Sequence, residues 1–529
     1  MPAVTGTIQI NTRLLDAQAL GIPASLPGLL ATELGRNLKE LSTLRDYAHD
    51  NQIGAQGQYW KGRKPLSGDL TEVLPQLVQD DQIGPAMGRE VDAQFARDPE
   101  WDARRDGKTI DPEDELVSTL TDWHREADLT AAAKDAARAR WWAGRMVGRV
   151  YLPDEYAERL LPTSPDRPTD LQSALELIHV EAVDPREGGP LIDAHRRTLG
   201  YWNRYATVVD GQEVVHVELY TPQKFLKFRL DRGTLTPLPE DEGDSPFAST
   251  AGNTRRPEYL MWHADRDGGS SITRSVRDQQ DRLNVVATYM GRNDEQTGYR
   301  QFIVSNAENP KTPDGKAAVY QLGPAAVVNL KGLPMDAVKV ASDAKPQRHT
   351  PTWQVVDPLN PESYHVPSIN QWKKSLLEKL DQLWTLNPET QVSGESKRQS
   401  RKPFDKRVTF AAQDMGGFIA WALRAALMLA AQLLDQREEY EGVTFVPKVF
   451  LDVDAENLEE LRVKLQMWQA GALQLVTLLE ATPGVADAAT EAASVEKEAE
   501  KRLRDGQAAA AALGGLMGDV KPPGGENGT

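Results

Sequence analysis

A mixed α+β fold is predicted from three observations. Helical stripes of apolar residues recur along the chain, as in Ile272, Val276, Leu283, Val286 and Met290. Between Leu177 and Leu230 the period drops to two, which marks strands. A block of short strands between Gln301 and Pro358 then separates two helical segments.

The elements follow in order. Leu14 to Tyr47 reads as helix, with Leu29, Leu30, Leu34, Leu38, Leu41 and Leu44 on one broad face. The region up to Gly88 is punctuated by Pro and Gly and reads as irregular. Asp111 to Ala143 is helical and ends in RARWWAGRMVGRVYL, where the pattern turns strand-like. Arg138, Arg140, Trp141, Trp142, Arg145 and Arg149 form a candidate basic and aromatic patch there. Stacking on nucleic acid is one reading. Buried tryptophans with snorkelling arginines is the other, and it is preferred.

LIHVEAV, YWNRYATVV, GQEVVHVELY and FLKFRL read as an antiparallel meander, with Asp210-Gly211 as a hairpin turn. The acidic loop PLPEDEGDSPFASTAGNTRRP, a strand EYLMWHA and a Gly-rich turn DRDGGS come next. Ser271 to Arg292 is a helix with Arg274, Asp278, Asp281, Arg282 and Asn284 mostly off its apolar stripe. FIVSN, AVYQL, AAVVNL, AVKVA and TWQVV are the short strands of the insert. Ser368 to Trp384 is the helix after it, on Ile369, Trp372, Leu376, Leu377, Leu380, Leu383 and Trp384.

Pro388 then breaks the pattern, because proline donates no N–H and disfavours a helical residue before it. Helix restarts near Ser393 in the basic run SKRQSRKPFDKR and continues through the apolar stretch Val408 to Leu434. Arg424 lies inside that stretch, so a buried core helix is expected rather than a bilayer span. A strand over Phe445 to Val453 and helices over Glu456 to Glu480 and Ala486 to Leu513 complete the chain. The tail KPPGGENGT is expected to be disordered.

Composition narrows the function. The chain has 529 residues, 40% of them hydrophobic and 26% charged, enough for two to four domains with real cores. It has no cysteine, which excludes disulfides and thiolate metal sites. No basic and apolar leader opens the sequence, so no secretory signal is expected. A net charge of −17 argues against tight nucleic-acid binding but suits a wall that lets DNA slide past. There is no GxxxxGK[ST] phosphate loop and no HExxH, and the eight histidines are scattered. Asp452-Val453-Asp454 lacks the later ligands of a calcium loop, and Gly243-Asp244-Ser245 lacks the context of a hydrolase serine. No acid, base, nucleophile, metal site or cofactor is nominated.

Four stretches resemble the portal proteins of long-tailed double-stranded DNA bacteriophages. Gly268-Gly269-Ser270-Ser271 followed by SVRDQQDRLN is similar to the lead-in of the family's first stem helix and its QD-x-x-N stretch. The strand-rich insert between two helices resembles the family's clip. Asn387-Pro388 through Ser393-Gly394-Glu395-Ser396-Lys397 resembles the tunnel-loop region, with Ser396 where the family often has alanine. Gly471 to Thr477 with Pro483-Gly484-Val485 resembles a crown-side helix, departing from it at Gln474 to Val476.

The resemblance implies an α+β portal fold: an N-terminal wing over 1–265, a first stem helix over 266–297, a clip over 298–362 and a second stem helix over 363–385. It further implies a tunnel loop over 386–396, a long wing helix and strand over 397–455, a helical crown over 456–513 and a tail over 514–529. Portals are rings of about twelve subunits at one capsid vertex. The implied partners are double-stranded DNA, touched transiently and without base readout, the terminase large subunit, the major capsid and scaffolding proteins, and a head-completion adaptor. No membrane and no catalysis are implied, and the chain would belong to the virion after assembly in the host cytoplasm.

Leu386, Asn387, Pro388, Glu389, Thr390, Gln391 and Val392 would form the loop facing the channel. Ile272, Val276, Leu283, Val286 and Met290 would form the stem core. Lys397, Arg398, Arg401 and Lys402 would touch phosphates or pair with acids of the next subunit; both readings stand, the second preferred. The competing expectations are a large hydrolase with a non-local site, or a helical scaffold or adaptor without a channel.

Overall fold

A computed structural model describes residues 15–49, 51–52, 78–153, 167–209, 211–239, 242–248, 257–297, 301–308, 311, 330–333, 348–356, 361–386, 394–451, 464–470, 474–480, 492, 494–495 and 497. Among the described residues 46% are helical and 23% in strands, a mixture consistent with the predicted α+β class. It divides into two compact units. The first comprises Met1–His49, Ile83–Thr273 and Leu380–Thr529; the second comprises Asp50–Gln82 and Arg274–Lys379.

The first unit opens with α1 (Leu26–Leu34) and α2 (Lys39–Ala48). The single helix predicted here is split because Gly35 ends α1 and the Asn37 side chain accepts from the Lys39 N–H, starting a new turn. Leu26, Leu30 and Leu34 of α1 pack on a six-stranded antiparallel sheet. That sheet contains β5 (Gly188–Ile192), β6 (Thr198–Val209), β7 (Gln212–Tyr220), β8 (Lys224–Asp231), β9 (Thr234–Pro237) and β10 (Gly243–Asp244). Trp202, Val217, Leu219, Leu226, Phe228 and Leu235 supply its side of the core. Val209 pairs with Gln212, so the hairpin turn falls on Asp210-Gly211 as read from sequence, and Gly211 carries the positive φ of 76°.

Helix α3 (Ile83–Asp92) lies in a region that reads as irregular. Its buried residues Ile83, Ala86, Met87, Glu90 and Val91 include an acid, which hides the stripe. The helix predicted over Asp111 to Ala143 is likewise two: α4 (Glu115–Glu126) and α5 (Leu129–Ala143), hinged at Asp128 with φ 50°. Strand β3 (Arg145–Tyr151) follows, and pairs with β4 (His179–Ala182) and β11 (Met261–Asp265). A third sheet joins β1 (Glu100–Arg105) to β2 (Lys108–Thr109) and to β14 (Val443–Lys448). The strand predicted at Phe445 to Val453 therefore begins two residues earlier and ends at Lys448.

Running through this unit is α9 (Gly394–Leu434), 41 residues long and continuous through Pro403. It packs on β3, β11, β14, α5 and α6 (Leu171–Leu175). Ala422, Leu423, Ala425, Ala426, Leu427, Met428, Ala430 and Ala431 are each 0% exposed. Gln399–Leu434 is long and apolar enough to cross a membrane by length and composition, and its apolar window is 67% buried within the fold. Arg424 is accommodated where α10 (Arg437–Tyr440) leads into β14: it donates to the carbonyls of Tyr440, Glu441 and Val443. Gly148 of β3 sits against the Phe418 and Trp421 rings of α9, and a side chain there would collide with both.

In the second unit α7 (Arg274–Thr297) packs on α8 (Pro361–Lys379). Leu283, Leu376 and Leu377 are buried there, and the Arg282 guanidinium lies 5.2 Å from the Trp372 ring centre. Between the helices in sequence, β12 (Gln301–Ser305) pairs antiparallel with β13 (Thr352–Val356). These are the predicted FIVSN and TWQVV strands. AVYQL, AVKVA and all of AAVVNL but Leu330 lie outside the described residues. The helix predicted over Glu456 to Glu480 is described at 464–470, helical through 469, and at 474–480, where α11 (Leu475–Glu480) lies; nearly all of the helix predicted over Ala486 to Leu513, and the tail, lie outside the described residues. Helix α8 starts seven residues before the predicted Ser368 and ends at Lys379 rather than Trp384.

Candidate functional site

The residues that lead into the predicted loop are held by a dense polar cluster in the first unit. Leu380 is fully buried, and Asp381 adopts a left-handed φ of 58° that turns the chain away from helix. Gln382, 0% exposed, uses both ends of its amide: Oε1 accepts from Arg89 Nε at 2.8 Å and Nε2 donates to the Ala86 carbonyl at 2.7 Å. Both partners lie on α3. The Gln382 carbonyl accepts from Thr385 Oγ1 at 2.8 Å and from its N–H at 3.1 Å, which closes the 3₁₀ turn Leu383–Leu386.

Beneath this turn lies Arg407 of α9. Its Nη2 is 2.8 Å from Glu90 Oε2 and 3.1 Å from Ser271 Oγ. Nη1 donates to the Leu380 carbonyl at 3.1 Å and to Asp381 Oδ2 at 3.3 Å. Glu90 is 2% exposed and also accepts from Trp141 Nε1 at 2.9 Å. A buried charge persists only if paired and hydrogen-bonded, and here each ion meets several partners. One guanidinium thus joins α3, α9, the turn before α7 and the lead-in to the loop.

Aromatic packing completes the anchor. Trp384 and Phe404 lie 5.6 Å apart, centre to centre, beside Val408, Ala93 and Leu451. The Arg401 guanidinium lies 5.1 Å from the Trp384 ring centre while its Nε reaches Asp405 Oδ1 at 3.1 Å.

The Gly-rich turn is fixed in the same region. Gly268 and Gly269 have φ of 82° and 73°. Ser270 Oγ donates to the Trp142 carbonyl at 2.6 Å and accepts from the Ile272 N–H at 2.9 Å, and the Ser271 N–H reaches the Trp141 carbonyl at 3.0 Å. Gly144, with φ 79°, lets this turn pass: a Cβ on it would sit 2.6 Å from Gly269 C and Ser270 N.

The structure resolves the aromatic patch in favour of packing. Trp141 and Trp142 are 2% and 3% exposed. Arg140 pairs with Asp414 at 2.6 Å, Arg145 with Asp265, and Arg138 with Asp135. Arg149 bridges β3 to β7 through Glu218 at 2.8 Å and Tyr220 Oη at 2.8 Å, and reaches Glu181 of β4 at 3.0 Å. Burial opposes its charge, yet Tyr220, Glu218 and Glu181 together raise its pKa above the ordinary guanidinium value.

Of the predicted loop, Leu386 ends the 3₁₀ turn, and Asn387 to Val392 lie outside the described residues. Lys397 and Arg398 fall on helical backbone of α9, followed by Arg401 and Lys402. In the predicted stem core, Ile272, Val276 and Leu283 are buried, but Val286 and Met290 are only half-buried. Ala287, at 5% exposure, takes the inner position, alongside Gln280, Asn284 and Thr288. Asn284 lies off the apolar stripe in sequence yet is buried, because its amide finds a partner in Gln52. Glu90, Gln382 and Arg407 were missed for a related reason: their partners are more than a hundred residues away in most cases, and no local pattern marks them.

This chain matches no protein-family model, and no curated protein matches it.

Proposed function

We propose that this chain is the subunit of a portal ring, a conduit for double-stranded DNA at one capsid vertex that also docks the packaging motor and head-completion proteins. The observation that carries the reading is the anchor around Gln382 and Arg407. It fixes Leu386, the start of the proline-interrupted segment Leu386–Val392, ahead of a 41-residue helix whose C-terminal half is buried. A conduit needs such a rigid base for a loop that touches passing duplex. Support also comes from the order of elements: helix α7, a strand pair, helix α8, the anchored turn and α9 follow the sequence expected of stem, clip, stem, tunnel loop and wing helix. The finer architecture of wing, stem, clip and crown belongs to this proposal.

A net charge of −17 per copy suits an acidic lumen wall, which would deny the duplex a deep electrostatic minimum. Arg401 and Arg407 of the basic run are engaged inside the fold, with Asp405 and Trp384 and with Glu90 and Asp381. That favours a structural role for the end of the run over phosphate contact.

Light scattering on the purified protein tests the ring. The expected particle has about twelve times the 58.5 kDa chain mass, with neighbouring copy numbers also acceptable. A stable monomer or dimer at high concentration would overturn the proposal and return the hydrolase and scaffold readings.

A further inference from the structure

Five residues of the second unit, Val78–Gln82, lie along α7 without any strand beside them. Their backbone is paired instead with side chains of the helix. The Val78 N–H donates to Thr288 Oγ1 at 3.0 Å, the Asp80 N–H to Asn284 Oδ1 at 3.1 Å and the Gln82 N–H to Gln280 Oε1 at 3.1 Å. In return, Gln280 Nε2 donates to the Asp80 carbonyl at 2.7 Å. Gln280 Nε2 also reaches Asn284 Oδ1 at 3.0 Å, and Asn284 Nδ2 donates to Gln52 Oε1 at 3.0 Å, so the amides brace one another.

Two repeats coincide to make this possible. Successive helix positions four apart rise by about 6 Å. Alternate residues of an extended chain advance by about 6.8 Å. A helix with acceptors at 280, 284 and 288 therefore meets every second N–H of an extended segment running the other way. Gln280, Asn284 and Thr288 are 0%, 3% and 1% exposed, so the comb is fully covered while the segment is docked.

Polar contacts also hold the segment at its side chains: the Gln52 amide donates to Asp81, and Gln82 Nε2 donates to Asp80 Oδ1 at 2.7 Å. None of Val78 to Gln82 is buried, and Val78 is 40% exposed. Asp80 adds an ion pair to Lys373 of α8 at 2.8 Å, with both side chains about a quarter exposed (26% and 27%). Docking thus depends on hydrogen bonds more than on apolar burial, which is the signature of a locally labile element.

We propose that Val78–Gln82 is a releasable strap across α7 and α8, and that Gln280, Asn284 and Thr288 form a docking comb that reads its backbone rather than its side chains. This stands apart from the portal reading: it needs only one folded chain. Strapped, α7 is pinned to α8 through Asp80 and Lys373. Released, the helix exposes three polar groups that water can satisfy, so the open state carries little penalty and the strap can cycle.

Amide hydrogen exchange on the full chain tests it. Asp80→Pro removes the central N–H together with the carboxylate that pairs with Lys373, and Asn284→Ala removes the acceptor while leaving that ion pair in place. Both are expected to speed exchange at Gln82 and Val78 at least tenfold while Leu283 and Ala287 in α7 keep their protection. Val78→Ala, which alters a side chain only, is expected to leave Gln82 exchange within about twofold of the parent. Unchanged exchange at Gln82 in both variants would overturn the proposal, and so would loss of protection throughout α7. A Val78→Ala effect as large as that of Asp80→Pro would show that side chains are read and would refute the comb.

Discussion

At the scale of single residues, buried polar groups decide local behaviour. His263 on β11 lies with its Nδ1 2.8 Å from Tyr201 Oη, in hydrogen-bonding range, and burial pulls its pKa down to about 4. In the unfolded chain a histidine titrates near 6.5. Between those values the unfolded chain binds a proton that the folded chain refuses, so stability rises with pH through this window. The neutral-His contribution is complete above about pH 6.5 and is lost as pH falls toward 4, a swing of roughly 3 kcal/mol at most. Denaturant titrations from pH 4 to 7.5 should show this slope, and His263→Gln should flatten it. Glu90→Ala leaves the Arg407 charge buried beside Leu380 and Ser271 without its main counter-ion. A loss of about 3–5 kcal/mol in urea unfolding is expected. The double change Glu90→Ala with Arg407→Met should recover a large part of it, because no charge is then stranded.

At the scale of elements, close approaches and caps set the boundaries. Gly144→Ala puts a methyl against the backbone of Gly269 and Ser270 at a position whose φ is already 79°. It should cost about 1–3 kcal/mol and shift thermal unfolding downward. Arg424→Met keeps the length and apolar character of α9 but strands the carbonyls of Tyr440, Glu441 and Val443. A loss of about 1.5–3 kcal/mol by denaturant unfolding is expected, since the lost hydrogen bonds come from a charged donor. In α7, Leu283→Asp should be far more damaging than Val286→Asp, because Leu283 is 0% exposed and Val286 is half-buried. Circular dichroism melts of the two variants would separate them.

At the scale of the whole molecule, the proposed ring makes the loop dispensable for assembly and necessary for transport. Removing Leu386–Val392 should leave the particle mass unchanged and impair DNA packaging or retention, read by light scattering and by protected genome length. Loss of the particle would place that segment in a subunit contact instead.

Much of the fold was legible locally. The antiparallel strands from Tyr201 to Leu230, the Asp210-Gly211 hairpin, the helix after the Gly-rich turn and the long apolar helix all follow from periodicity and turn chemistry, which act within a few residues. LIHVEAV, expected as the first strand of that meander, instead pairs with β3 in another sheet, a long-range choice that period two cannot express. The helix breaks at Gly35 and Asp128 were less visible, because a capping asparagine or a left-handed aspartate interrupts a helix without interrupting its apolar stripe. The candidate site was legible only as a proline-broken stretch. Its anchor joins Arg89 and Glu90 to Gln382 and Arg407, and a linear pattern cannot register residues about three hundred positions apart. The comb on α7 escaped for the same reason: Gln280, Asn284 and Thr288 look solvated until Val78–Gln82 is laid beside them. Sequence alone determined which segments bury apolar faces, since that follows from short-range spacing and transfer from water. Tertiary structure decided which polar groups go inside with them, since a buried amide or ion is tolerated only where a distant partner arrives at hydrogen-bonding range.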